Sequence, residues 1–233
     1  MTHRKKKILL CNEASFLNTG YSTYGRELMK RLYASDKYEL AELSTYASPD
    51  DHRFSQLPWK TYSNLPDPNN PQEGEVYKSN TTYQFGEFKF EHTLLDFQPD
   101  IVVDIRDWWM LEFEERSPFR RLFYWAIMPT VDASPQNEQW LSTYSSADAV
   151  FNYSDWGYEI LKEEGGGQIN CLGSATPSAD ASYVPVDDKD AHKRKMGLNP
   201  DCKIIGTIMR NQRRKLFPDL FKAFRKYLDK TND

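Results

Sequence analysis

The 233-residue chain is 39% hydrophobic, 14% aromatic and 27% charged, which supplies a packed core and takes it out of the disordered class. A net charge of -4 leaves no chain-wide basic field, so a nucleic-acid partner is not expected. The three cysteines, Cys11, Cys171 and Cys202, lie far apart without CxxC spacing, which argues against a zinc or disulfide framework and for reduced thiols in a cytoplasmic setting.

Residues 3–7 are basic, from His3 onward, but the apolar run behind them, Ile8-Leu9-Leu10, is too short for a signal-peptide core or a membrane span. Residues 7–11 read as a first strand and 12–22 as a loop containing Gly20. Ser22 or Thr23 is placed to cap a helix in which Tyr24, Leu28, Leu32 and Tyr33 share a face. A second strand is expected over 38–43, completing the strand, loop, helix, strand order of a parallel sheet. From 46 to about 82 the periodicity dissolves among Pro49, Pro58, Pro66, Pro68 and Pro71, which reads as a long irregular insertion. Such loops are often functional, so this one is a candidate acceptor-side element.

Residues 100–105 (DIVVDI) have the continuous apolar look of a strand covered on both faces, and 122–128 (LFYWAIM) the same. Asp132 falls in the loop that follows. A helix over 136–144, a strand over 149–153, a helix over 155–164 and a strand over 169–172 complete the pattern. Gly165, Gly166 and Gly167 end the last helix, since glycine accepts a left-handed backbone there. Residues 173–184, rich in Ser, Ala and Pro, read as a linker, and 187–196 as a short charged helix. The chain is therefore expected to be α/β, a Rossmann-like doubly wound parallel sheet over 1–180. A second Rossmann-like unit begins within 181–233 and comprises one strand and one helix.

That second unit holds the most informative stretch. Ile204 to Met209 form an apolar run of strand length, Arg210 to Lys215 a basic turn, and Phe217, Leu220, Phe221, Phe224, Tyr227 and Leu228 recur at helical spacing. Pro218 suits the first turn of that helix. Strand, cationic turn and helix N-terminus together suit an anion; the bland alternative is a solvated basic turn. Arg213 and Arg214 read as surface charge. Asp104, Arg106 and Asp107 cluster at the end of a predicted strand, where α/β sheets take ligands, although an internal ion pair explains them as well. Trp108, Trp109 and Trp125 lie beside predicted strands and read as core. His3, His52, His92 and His192 are dispersed, with no metal-ligand spacing. Neither a GxSxG elbow nor a GxxxxGK[ST] loop is present.

Taken in order, these segments resemble the GT-B glycosyltransferases, and most closely the retaining, metal-independent, family-4-like group. IIGTIMRNQRRKLFPDLFKAF is similar to the first strand and helix of that group's nucleotide-binding domain. TGYSTYGREL looks like its glycine-containing first loop and helix. IMPTVDASP resembles its mid-domain loop, ADAVFNYS with the helix after it a late strand and helix, and VPV the re-entry after the linker. The resemblance implies transfer of a sugar from a nucleotide-sugar donor to a glycan or other acceptor, with no metal and no cofactor. Donor binding falls mainly to the second domain and acceptor binding to the first, across a cleft. Arg210 and Lys215 match the arginine and lysine that flank the donor diphosphate, and Gly20 matches the first-loop glycine where backbone comes close to the donor phosphates or acceptor, which makes it a third donor-binding candidate. Asp132 stands where many members carry a histidine, so it either holds a sugar hydroxyl or orders its own loop. Asp107 becomes an acceptor-side candidate. Against the family pattern the chain stops early in the C-terminal domain, which leaves open a non-catalytic glycan- or protein-binding module as the alternative.

Overall fold

The computed structural model describes residues 4–178 and 183–231; His3 and the middle of the expected linker, 179–182, lie outside the described residues. The chain divides into two compact units, Met1–Ser178 and Ala179–Asp233. The first holds seven parallel strands: β1 (Lys6–Glu13), β2 (Tyr38–Thr45), β3 (Lys60–Ser63), β4 (Ile101–Asp104), β5 (Tyr124–Ile127), β6 (Ala149–Asn152) and β7 (Cys171–Ser174). They lie in the order β3-β2-β1-β4-β5-β6-β7.

The order follows from the handedness of the connections. From β1 the chain steps through α1 (Gly20–Ala34) to β2 and on to β3, moving one way across the sheet. It then returns through α3 (Glu87–Phe97) to β4 and proceeds the other way through α4 (Trp108–Glu115), α5 (Glu138–Ser146) and α6 (Asp155–Glu164). Right-handed crossovers running in opposite directions put their helices on opposite faces. Alternation along β1 shows the result. Ile8 and Leu10 pack with Met29 of α1, while Leu9 and Cys11 pack in the larger core with Phe90 and Phe97 of α3 and Leu111 of α4. Between β1 and β4 the strand order reverses, and the carboxyl ends of the strands there mark the crevice in which open α/β sheets take ligands.

The doubly wound α/β architecture is the one expected from sequence. Local departures have local causes. Thr19 caps α1 in place of Ser22 or Thr23, its hydroxyl oxygen accepting from Ser22 N–H at 3.2 Å. Ser22 is already engaged, its buried hydroxyl lying 2.6 Å from the Ala14 carbonyl and 2.8 Å from that of Leu17. The stretch 46–82 is not irregular throughout. It contributes the edge strand β3 and the helix α2 (Pro71–Lys78), which Asn70 caps and Pro71 opens. At the end of α6, Gly165 keeps a right-handed backbone and the positive φ falls on Gly166 and Gly167.

In the second unit, α7 (Lys189–Lys195) and α8 (Phe217–Thr231) form, but the expected strand over 204–209 does not. Parallel strands need a neighbour to take up their N–H and C=O groups, and the described residues of this unit contain no other strand. The segment is exposed, including Ile204, Ile205 and Ile208. No helix among the described residues is long and apolar enough to cross a membrane.

Gly25 is where α1 comes closest to β1. A β-carbon there would stand 2.1 Å from Asn12 Nδ2 and 3.2 Å from Leu10 Cδ2. The Asn12 amide is buried and donates to the Tyr21 carbonyl at 2.9 Å, so it has little room to yield. Gly25→Ala gains up to about 1 kcal/mol of helix propensity and incurs roughly 1–3 kcal/mol of overpacking. Urea unfolding is expected to register a net loss of about 1–2 kcal/mol.

Candidate functional site

The crevice is built at the carboxyl ends of β1 and β4. After Glu13 the chain turns, and the Thr19 hydroxyl that caps α1 donates to the Glu13 carboxylate. Gly20 is the first residue of α1, and a β-carbon on it would meet nothing within 4 Å, so the backbone there faces open space. Tyr21 reaches across the crevice. Its hydroxyl lies 3.1 Å from Thr130 Oγ1 in the loop after β5. Burial pushes the Tyr21 phenol well above the ordinary range; the Thr130 bond offsets part of this and the nearby Asp107 carboxylate adds to it. Asp107 occupies the cap position of α4 yet makes no side-chain capping bond, so its half-buried carboxylate is available to the crevice.

Around this pair stand more phenols. The Tyr153 hydroxyl donates to the Ile105 carbonyl, and its ring meets Tyr24 edge-on at 5.4 Å. Tyr144, from α5, is fully buried and its hydroxyl has no hydrogen-bond partner. Burial raises its pKa, and the charges of Asp107 and then Asp132 raise it further. Asp132 itself is exposed on the loop after β5. Trp108 and Trp140 stack at 6.0 Å between α4 and α5, and Trp125 is core, as its place beside a strand implied; Trp109, read the same way, is instead exposed on α4.

Beneath the crevice lies a buried charge cluster. Arg106 and Asp104 are both fully buried and paired. Arg106 Nε lies 3.0 and 3.2 Å from the two Asp104 oxygens, and Asp104 Oδ1 also accepts from Arg106 N–H at 3.0 Å. The rest of the guanidinium donates to the Phe85 carbonyl at 2.7 Å and the Met110 carbonyl at 3.3 Å. This is the internal ion pair that the sequence allowed. Glu114, also fully buried, accepts from Trp125 Nε1, while its other oxygen accepts no hydrogen bond. Burial pushes its pKa well up and the Asp104 charge pushes it further. Burial also raises Asp104, but the adjacent guanidinium pulls it back. The stable arrangement is therefore an Asp104–Arg106 ion pair beside a neutral Glu114, whose proton suits the unpartnered oxygen. Burial, then Glu114 and Asp104, raises the neighbouring Cys11 thiol well above its usual range and leaves it unreactive.

The other two sequence candidates belong to the second unit, described by itself. Arg210 is exposed on an extended segment, and Lys215 closes a single 3-10 turn, Arg213–Lys215, ahead of α8. Lys215 also lines a mainly apolar cavity of about 540 Å³ with Met209, Phe221 and Phe224. None of Arg210, Arg213, Arg214 and Lys215 is ion-paired with a carboxylate among the described residues. The structure puts Asp107 at the cap of α4, Asp132 exposed on the loop after β5 and Gly20 at the head of α1, all in the first unit, and Arg210 and Lys215 in the second. Sequence reasoning passed over Tyr21, Tyr144, Tyr153 and Thr130. The one available signal was the pair of tyrosines flanking the serine in TGYSTYG. Among the described residues no group of three or more His, Cys, Asp or Glu is placed to hold a metal ion.

No protein-family model matches the chain, and no curated protein matches it in sequence. Among solved structures it is similar to the sucrose-phosphate synthase of Thermosynechococcus elongatus, with a TM-score of 0.67 and 17% identity. That match covers 96% of this chain and 60% of the synthase chain. Weaker likenesses join it to Arabidopsis thaliana UGT89C1 complexed with UDP-L-rhamnose (TM-score 0.48, 9% identity, 76% of this chain and 52% of that one). A further one is the UDP-GlcNAc 2-epimerase of Methanocaldococcus jannaschii (TM-score 0.43, 15% identity, 73% and 45%). The first likeness establishes the fold as the Rossmann-like α/β architecture of GT-B proteins.

Glu114 gives the cluster a measurable signature. Its folded pKa stands above the unfolded value of about 4.3, so the folded state holds a proton that the unfolded state releases. Its contribution is full below that value and is lost as pH rises toward the folded pKa, at up to about 1.4 kcal/mol per pH unit. Glu114→Gln keeps a donor toward Asp104 and an acceptor for Trp125 without the titration. Urea unfolding across this window is expected to show a flatter pH profile for the variant and a stability above wild type at the alkaline end.

Proposed function

We propose that the chain forms part of a glycosyltransferase that moves a sugar from a nucleotide-sugar donor to a hydroxyl-bearing acceptor, with retention at the transferred carbon. The observation that carries this reading is the GT-B architecture running through 96% of the chain, joined to a cationic turn where the family resemblance puts its diphosphate ligands. The chain spans 60% of the synthase chain it matches, so activity, donor and acceptor are all part of the proposal.

The chemistry assigns the residues. As the glycosidic bond breaks, the leaving nucleoside diphosphate gains negative charge, and a fixed cation that meets this charge stabilises the transition state more than the ground state. Arg210 supplies a planar fork for two phosphate oxygens, and Lys215 a compact point charge. With two cations in place, the leaving group is neutralised without a metal ion. The acceptor belongs with the first unit, where Asp107, Asp132 and the Tyr21 hydroxyl offer acceptors and donors for sugar hydroxyls. Gly20 leaves space for a ligand to approach the backbone at the head of α1. Asp132 serves here as a sugar-hydroxyl ligand.

The test is turnover of UDP- and GDP-sugars by the protein that contains this chain, with the anomeric configuration of the product read by NMR. Arg210→Ala is expected to reduce kcat by about a hundredfold, as loss of one preorganised donor to a developing oxyanion does, and EDTA to leave turnover intact. Absence of nucleotide-sugar binding, or an Arg210→Ala variant as active as wild type, would overturn the assignment. Glycan binding without donor binding would instead identify a non-catalytic module.

A further inference from the structure

Away from the crevice, the segment 46–82 and α3 line an open cavity of about 410 Å³ in the first unit. Its size lies within the roughly 300–1,000 Å³ of small-molecule sites. Its walls are held in place from behind. Asn64 is fully buried and hydrogen-bonded on both sides of its amide: its N–H donates to the Ser44 carbonyl at 2.9 Å, and its side-chain amide donates to the Tyr83 carbonyl at 2.7 Å. Its amide oxygen accepts from Lys89 N–H at 3.2 Å. The Ser63 hydroxyl donates to the Ala47 carbonyl at 2.7 Å, and Asp67 Oδ1 accepts from Asn69 N–H at 2.8 Å. The backbone behind the cavity is therefore fixed by internal hydrogen bonds.

The lining selects a ligand class. Lys89, the one lysine or arginine on the wall, is ion-paired with Glu73, which does not line the cavity. Asp50 makes no hydrogen bond among the described residues, and Asp67 keeps one oxygen free. The wall is thus acidic and repels phosphates and carboxylates. Asn69 and His92 add groups that both accept and donate. Pro49, Leu65, Pro68 and the ring of Tyr62 supply flat apolar surface between them. Carboxylates that accept from neighbouring hydroxyls, beside apolar faces for C–H groups, suit a neutral polyol.

We propose that this cavity is a binding subsite for a neutral saccharide, the distal unit of an acceptor glycan; only the word acceptor rests on the transferase reading. Backbone continuity supports the assignment. The 3-10 turn Thr81–Phe85 gives its Tyr83 carbonyl to Asn64 and its Phe85 carbonyl to Arg106, so one turn braces both the cavity and the floor of the crevice.

The test is an array of neutral glycans, with sialylated glycans and spermidine as comparison probes. Wild type is expected to bind neutral glycans. Asp50→Ala with Asp67→Asn is expected to weaken that binding by about tenfold or more, since hydrogen bonds to charged groups are the strong ones. Both positions are exposed, and asparagine at 67 preserves the turn to Asn69, so the thermal midpoint is expected to stay where it is. Failure to bind any neutral glycan, binding indifferent to both substitutions, or preference for spermidine or sialylated glycans would each overturn the proposal. Glycan binding without nucleotide-sugar turnover would leave this subsite standing and remove the transferase reading. Turnover of glycan acceptors indifferent to both substitutions would do the reverse.

Discussion

The first unit depends on one buried cation. Arg106 has no exposure to water, and a guanidinium presents five N–H donors that must all be answered from within the protein. Asp104 takes the charge, and the Phe85 and Met110 carbonyls take the rest. Those partners come from the end of β4, from the turn before α3 and from α4. The turn before α3 is thereby tied to the β4–α4 connection at the carboxyl edge of the sheet, where the strand order reverses. A second carboxyl, Glu114, shares the site without unbalancing it because burial keeps it neutral. Breaking such a pair from one side costs about 3–5 kcal/mol, so the geometry of the crevice is held firmly although its rim is made of loops.

The same arrangement explains why the edge of the sheet can be built from a proline-rich segment. β3 is only four residues long and pairs with β2 alone, through Ala41↔Lys60 to Ser44↔Ser63. What keeps it in register is Asn64, which continues the ladder by donating to Ser44 and then ties the chain to the turn that meets Arg106. A short edge strand anchored by one buried amide exposes few unpaired backbone groups, which limits edge-to-edge association. The prolines and Asx turns between it and α2 shape the cavity wall rather than weaken it.

Much of this was legible in the sequence. Strands at 7–11, 38–43, 100–105 and 149–153, and helices at 155–164 and 217–228, declared themselves through short apolar-rich runs or helical spacing, and each is observed. β3 and α2 were hidden because KTYS carries no apolar run and α2 buries no residue, so neither leaves a periodic trace. The stretch 204–209 misled in the opposite sense: it has a strand's composition without a strand's partner. At the crevice, Gly20 and Asp107 could be singled out from chain position, since both follow predicted strands. Tyr21, Tyr144 and Tyr153 could not. A tyrosine in a core and a tyrosine with its hydroxyl at a site look alike until the fold places the oxygen.

Placement also separates two kinds of chemistry. The groups facing the crevice and the cavity beside α3 are carboxylates, phenols, hydroxyls, amides and the His92 imidazole, with Arg106 consumed below and Lys89 paired from behind. The helix N-terminus at Gly20, which would otherwise favour an anion, is already met by Glu13 through the Thr19 hydroxyl. Such a surface suits hydroxyl-rich ligands and disfavours phosphate. In the second unit the balance is opposite: four cations fall within six residues, 210–215, and none meets a carboxylate among the described residues. Free guanidinium and ammonium groups at the head of α8 suit phosphate oxygens and have little to offer a neutral sugar. The proposed transfer of a sugar from a nucleotide draws on this division, with hydroxyl groups met in the first unit and the diphosphate in the second.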